Sequence, residues 1–155
     1  MEGRVKIKQL HRKLSDKEFE EAFANKTLKP GWFTHEAHIR LAYIHISKYG
    51  YEQALANIRF QIRAFAENLG IYDKYHDTVT IVAVLMTAEA MEQATETDFL
   101  SFIEGSGYYL LNFKALLEEH YSYNLFKDHA SREAWVLPDL KAFPNQFIEH
   151  LRPAS

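Results

Sequence analysis

The spacing of hydrophobic residues predicts helices along most of the chain. Ser15 to Glu18 has the spacing of a capping box, in which a hydroxyl and a carboxylate close the start of a helix. Apolar residues three and four positions apart then predict an amphipathic helix from about Glu52 to Leu69, which Gly70 ends. These apolar positions are Tyr51, Leu55, Ile58, Ile62, Phe65 and Leu69.

The next predicted helix is apolar on nearly every side. It begins with Asp77 or Thr78 as its N-cap and lasts to about Ala94, and it contains the longest apolar run, Ile81 to Met86. A helix without a polar face belongs in the middle of a bundle. A stretch of about sixteen residues without a turn is too long for a strand.

Capping and turn residues place the remaining helices around this one. Thr34 is the predicted N-cap of a helix that runs to about Lys48, where Gly50 stops it. Pro138 and Pro144 break the segment near the end of the chain. Shorter helices are predicted over residues 98–104, 108–120 and 131–135.

Together these elements predict an all-α fold. We expect a single compact bundle of five or six helices, formed by residues 1–155 as one domain, with an irregular C-terminal segment. Residues 1–14 are predicted to form a mobile N-terminal arm.

Charge and composition narrow the classes of function. The chain has 155 residues, a formal net charge of -3 and 47% hydrophobic residues, which is ample material for a core. This charge argues against nucleic-acid binding, because a surface that follows phosphates needs clustered lysine and arginine. The basic residues among the first thirteen are interpreted as a solvated arm.

The same composition bears on location. The chain has no cysteine, which excludes disulfides and thiolate metal sites and allows a reducing compartment. The first residues contain no apolar stretch typical of a signal peptide, and no run of about 18 apolar residues predicts a membrane span. We therefore expect a soluble, cytoplasmic protein without a membrane partner.

Histidines at two predicted helix starts suggest a divalent-metal site. His35 and His38 are three residues apart, so on a helix their rings lie about 60° from one another and can converge. His76 precedes the apolar helix and is the predicted third ligand. Three histidines with an open position suit Zn or a similar metal with bound water. Glu36 and Glu89 are the predicted catalytic bases or further ligands.

Two other interpretations of these histidines stay open. The positive end of a helix dipole keeps imidazole neutral, which suits metal, but it also attracts a phosphate or carboxylate. The rings can also serve only as hydrogen-bonding groups within the bundle. The remaining histidines outside this helix are interpreted as surface residues; they are His11, His120, His129 and His150.

Four segments together resemble a known family. They read FTHEAHIRLA at 33–42, KYHDTVT at 74–80, YS at 121–122 and SREAWVLPDL at 131–140. In this combination the chain resembles a family of small bacterial helical proteins, over roughly residues 33–144. The resemblance implies a common fold and no particular activity. Where the similar sequences have an apolar or aromatic residue, this chain has His45.

The last of these segments adds candidate ligand-binding residues. Arg132 can clamp a carboxylate or phosphate, Trp135 can wall a pocket, and Asp139 can pair with Arg132 or orient a histidine. Alternatively, the segment folds over the end of the bundle, with Trp135 as an apolar plug and Arg132 and Asp139 as a structural pair.

Two functions from different classes follow. One is a metal- or small-ligand-binding helical protein whose pocket contains His35, His38 and His76. If this protein is an enzyme, the expected reaction is metal-assisted hydrolysis. The other is a non-catalytic helical module that binds a small anionic metabolite or a protein partner.

Overall fold

Helices make up all of the regular structure in residues 8–151, the part of the chain that the computed structural model describes, and no strand occurs there. Of the eight α-helices in this range, five have seven or more residues, so the predicted all-α fold is confirmed. The helices are α1 (Asp16–Ala24), α2 (His35–Tyr49), α3 (Tyr51–Asn68), α4 (Asp77–Gln93), α5 (Phe99–Glu104), α6 (Phe113–His120), α7 (His129–Glu133) and α8 (Asn145–Ile148).

The predicted caps fix the starts of α1 and α2. The Ser15 hydroxyl accepts from the Glu18 backbone N–H, and the Glu18 carboxylate accepts from the Ser15 backbone N–H. The Thr34 hydroxyl accepts from the Ala37 backbone N–H at 3.2 Å. Gly50 has a φ of 84°, a conformation that favours glycine, and it lets α3 follow α2 directly.

The apolar helix α4 lies in the middle of the bundle, as its sequence predicts. It packs against α2, α3 and α7, and Ile81 and Leu85 are fully buried. Large aromatic side chains from other elements complete one continuous core around it. They include Phe19, Phe23, Phe65, Phe102 and Trp135.

Two helix boundaries differ from the prediction. The cap of α4 is His76, whose ring accepts from the Val79 backbone N–H, so Asp77 already belongs to the helix. The helix predicted over residues 108–120 is divided into a 3-10 turn, Tyr108–Leu111, and α6, because the backbone of Asn112 leaves the helical region (φ -95°, ψ 56°).

The N-terminal segment packs against α2 over residues 8–14, where a mobile arm is predicted. Leu10–Lys13 form a 3-10 turn, and His11 is fully buried. The Arg40 guanidinium of α2 donates to the backbone oxygens of His11 and Leu14 at 2.7 and 2.8 Å. The rest of the predicted arm, residues 1–7, lies outside the described range.

None of the helices described combines the length and hydropathy that a membrane span requires.

Candidate functional site

His35 and His38 lie in the first turn of α2, and each holds one ring nitrogen on a backbone oxygen. His35 donates from Nε2 to the Leu110 oxygen at 3.0 Å, which leaves Nδ1 open. His38 donates from Nδ1 to the Thr34 oxygen at 3.0 Å and stacks on Phe33. Burial lowers the pKa of His38 to about 4, although the bond to Thr34 opposes this shift, so the ring is neutral at pH 7.

His76 uses both of its ring nitrogens inside the fold. Nδ1 accepts from the Val79 backbone N–H at 3.2 Å, and Nε2 donates to the Leu125 oxygen at 2.7 Å. Burial lowers the pKa of His76, which keeps Nδ1 free of a proton and able to cap α4. No nitrogen lone pair is left for a metal or a ligand.

The three predicted metal ligands are therefore not arranged as one site. His38 stacks on Phe33, and Phe33 contacts Phe65 of α3. Asp77, the residue after His76, accepts hydrogen bonds from Arg59, which also belongs to α3. Both helix starts thus lie along α3. Yet within residues 8–151 no three His, Cys, Asp or Glu side chains are grouped so that they could hold a metal ion.

Glu36, a predicted catalytic base, is buried in an ion-pair network. Its carboxylate accepts from His11 Nε2 at 2.8 Å and from Arg12 at 2.8 and 2.7 Å. Burial alone would raise the pKa of Glu36, but these hydrogen bonds outweigh it and lower the pKa to about 2. A carboxylate held ionised by three hydrogen bonds from two residues is a poor base, and its role here is to anchor the N-terminal segment.

Arg132 and Asp139 do not pair with each other. The Arg132 guanidinium donates to the backbone oxygens of Asp73 and Phe126, at 3.2 and 2.6 Å, and so joins two loops. Asp139 accepts from the backbone N–H of Ser122 at 2.9 Å and from its hydroxyl. Both side chains hold loops together in this arrangement.

Trp135 is almost fully buried, with 2% of its surface exposed, and contacts Phe143 in the core. Its remaining surface lines a small cleft of about 350 Å³ beside Arg59 and His150. The indole N–H is buried and has no hydrogen-bond partner among residues 8–151. The burial of Trp135 and its contact with Phe143 agree with an apolar plug at the end of the bundle, and the indole N–H is the one polar atom of the side chain that this packing leaves unpaired in the described range.

Glu89 lies far along α4 from His76, in the wall of a cleft of about 800 Å³. We call this the Glu89–His120 cleft. It lies between α4, α6, the turn near Tyr109 and the segment 141–144. Its lining combines apolar and polar side chains: Met86, Glu89, Ala90, Gln93, Ser106, Tyr109, Leu116, Glu119, His120, Lys141, Ala142, Phe143 and Pro144.

His120 is the residue of this cleft that the sequence interpretation missed. The interpretation of His120 as a surface residue is wrong, because only 5% of its surface is exposed. The same interpretation of His11 is also wrong, because His11 is fully buried. His120 donates from Nδ1 to the Lys141 oxygen at 2.7 Å and stacks on Phe143 at 4.1 Å. Because Nδ1 carries the proton, Nε2 is the nitrogen with a lone pair. Only long-range contacts create this position, so no local pattern signals it.

The charges of the cleft are unevenly paired. Lys141 and Glu119 form an exposed ion pair at 3.7 Å. Glu89 is half-buried and has no ion-pair partner among the residues described. Burial, and after it the charge of Glu89, raises the pKa of Tyr109 in the same cleft. An unneutralised carboxylate and a histidine acceptor therefore line the same cavity.

Comparison with known proteins adds no relative to this picture: no family model, curated protein or solved structure matches the chain. The family resemblance based on the four sequence segments therefore stays a prediction.

Proposed function

We propose that this protein is a helical small-ligand-binding domain and that its ligand occupies the Glu89–His120 cleft. The observation that carries the proposal is the combination of a large cavity with uncommitted polar groups. At about 800 Å³ the cleft is within the usual range of ligand pockets, about 300–1,000 Å³. Six of its thirteen lining residues are apolar and seven carry polar groups, so the cleft offers both surface for an apolar body and groups that can orient a ligand.

Hydrogen-bonding capacity distinguishes this cleft from the predicted histidine site. His76 and Glu36 use their polar atoms to hold the fold. His120 uses Nδ1 for this purpose and leaves Nε2 as an acceptor for a ligand. Glu89 has no ion-pair partner in the described chain. A ligand can gain most from groups whose bonds are not already made within the protein.

Methyl NMR provides a direct test. The chain has three methionines, of which Met86 lines the cleft and Met91 on the same helix does not. Protein with ¹³C-labelled methionine methyl groups is titrated with 2-phenylethylamine, 2-phenylethanol and 3-phenylpropanoate, which share a phenyl body and differ in the head group. We expect at least one probe to shift the Met86 signal saturably while Met91 changes little.

A matched pair of variants locates the binding. Ala142 lines the cleft and is exposed, so Ala142→Trp should fill the cleft and abolish the Met86 shift. Ala130 is exposed on α7 outside the cleft, so the Ala130→Trp variant should bind the probes and shift Met86 as the wild type does. If no probe shifts Met86 at its highest soluble concentration, the proposal is wrong.

The metal-assisted hydrolase stays a second candidate, favoured by one observation at the start of α2. His35 and His38 each fix one nitrogen on a backbone oxygen and leave the other open, as metal-binding histidines commonly do. Two such nitrogens are one short of the three protein ligands usual in a catalytic zinc site. Elemental analysis of protein purified without an affinity tag tests it, and one tightly bound divalent ion per chain would support it.

The proposal places the protein in the cytoplasm, a reducing compartment that a chain without cysteine tolerates.

A further inference from the structure

We infer that the ligand of the Glu89–His120 cleft is an amphipathic primary amine, with its ammonium group at Glu89 and His120 and its apolar body against the cleft floor. This inference rests on the proposed function and adds the chemical class of the ligand.

The first argument is the sign of the charge. Lys141, the cation of the cleft, is mostly exposed and pairs with Glu119, so the formal charges of these two side chains cancel. Glu89 is half-buried and has no ion-pair partner in residues 8–151. A partly buried carboxylate in an otherwise neutral cavity attracts a cation and repels an anionic ligand.

The second argument is the number of acceptors. An ammonium group has three N–H donors and no acceptor, so it needs several acceptors close together. The Glu89 carboxylate supplies two oxygens, and His120 supplies Nε2, because the Lys141 oxygen holds its proton at Nδ1. Tyr109 also lines the cleft, and its hydroxyl is a further potential acceptor. Among common ligand head groups, a primary amine uses this set most fully.

The third argument is the floor of the cleft. Met86, Leu116 and Phe143 are buried, with exposed fractions of 4–9%, and they form an apolar surface beside the polar groups. Phe143 is held in place by stacking on His120 and by contact with Trp135. A flat apolar body, such as a phenyl ring, fits this floor and buries surface without a polar group of its own.

The three phenyl probes also test this inference. The affinity of each probe is measured from the shift of the Met86 signal during titration. We expect 2-phenylethylamine to bind at least about tenfold more tightly than 2-phenylethanol, and 3-phenylpropanoate to bind most weakly. Glu89→Gln should weaken the amine by about tenfold and leave the alcohol unchanged. Glu92→Gln removes the same charge one turn along α4, outside the cleft lining, and should change neither affinity much.

The outcomes separate this inference from the proposed function. Equal binding of all three probes, or tightest binding of 3-phenylpropanoate, would overturn the amine inference and leave small-ligand binding in place. An amine preference that survives Glu89→Gln would also overturn it. Failure of every probe would remove the proposed function and this inference together.

Discussion

The start of α2 and the Glu89–His120 cleft both contain a histidine and a glutamate, but they use these residues in opposite ways. At the start of α2, Glu36 binds His11 and Arg12 and so joins the N-terminal segment to the bundle. In the cleft, Glu89 has no ion-pair partner in the part of the chain described, and His120 keeps one nitrogen open. The same residue types thus hold the structure together in one place and keep unused hydrogen-bonding groups in the other.

The difference shows why residue type alone is a weak guide to a site. A buried polar group with all of its bonds made contributes to stability, and its removal leaves its partners unsatisfied. A polar group with bonds to spare contributes little to stability and is available to a ligand. Substitutions in the two regions should therefore separate loss of stability from loss of binding.

The largest effect is expected from Glu36→Ala. It leaves the fully buried His11 without its acceptor and removes the ion-pair partner of Arg12, which is exposed. Breaking a fully buried pair costs about 3–5 kcal/mol of unfolding free energy, and the exposure of Arg12 puts the expected loss near the lower end, about 3 kcal/mol. Urea unfolding at pH 7 measures this loss. Glu119→Ala, in an exposed pair, is the control and should cost less than about 1 kcal/mol. Equal losses for the two variants would contradict the structural role of Glu36.

Acid should weaken the fold through the buried histidines. The pKa of His38 is about 4 in the folded protein and about 6.5 when unfolded, so the unfolded chain takes up the proton first. Stability should therefore fall as pH drops from about 6.5 to about 4. For His38 alone the loss of unfolding free energy between pH 7 and pH 5 is about 2 kcal/mol at most. This is an upper limit because the ring is partly exposed, and solvent weakens the effect of burial.

Urea melts from pH 7 to pH 5 test this sign and window. Burial also lowers the pKa values of His45 and His76, so they add to the loss in the same direction. The lowered pKa of Glu36 acts only at lower pH, between about 4.5 and 2. His38→Asn should show a shallower pH dependence than the wild type, and an unchanged slope would show that His38 does not titrate as described.

A smaller loss is expected from His76→Ala. Removing an N-cap costs about 0.5–2 kcal/mol, and the Leu125 oxygen also loses its donor. His76→Asn restores a side chain that caps well and should recover part of the loss, as thermal melts would show. If both variants keep full stability but lose bound metal, His76 is a metal ligand after all.

The smallest effect on stability is expected from Glu89→Gln. Because Glu89 has no ion-pair partner in residues 8–151, the unfolding free energy of the variant should stay within about 0.5 kcal/mol of the wild-type value. Amine binding should nevertheless fall, which is the reverse of the Glu36→Ala result. A large loss of stability would place Glu89 with the structural carboxylates and remove the contrast between the two regions.

Local chemistry made most of the helices predictable. The Ser15 and Thr34 caps, the glycine after α2 and the apolar run of α4 all act within a few residues of where they occur. The sequence predicts Asp77 or Thr78 as the N-cap of α4, one or two residues after the observed cap His76, because histidine is not among the usual capping residues. The break at Asn112 has no comparable signal in the sequence.

The site was much less predictable, because its contacts join distant parts of the chain. The sequence predicts Glu89 as a base or further ligand of the three-histidine site, yet it lies near the opposite end of α4 from His76. His120 meets Lys141 and Phe143, and Glu36 meets His11 and Arg12, across 21 to 25 residues of sequence. No periodicity or motif records which of several histidines will find such a partner.

The attachment of the segment 140–141 to His120 has a consequence for the order of synthesis. The His120 backbone oxygen accepts from Leu140, and its ring donates to the Lys141 oxygen. The network around Glu36 is complete once α2 has been made, whereas the cleft lacks a wall until residues 141–144 have been added. A nascent chain halted at residue 139 would therefore carry the anchored N-terminal segment but an incomplete Glu89–His120 cleft.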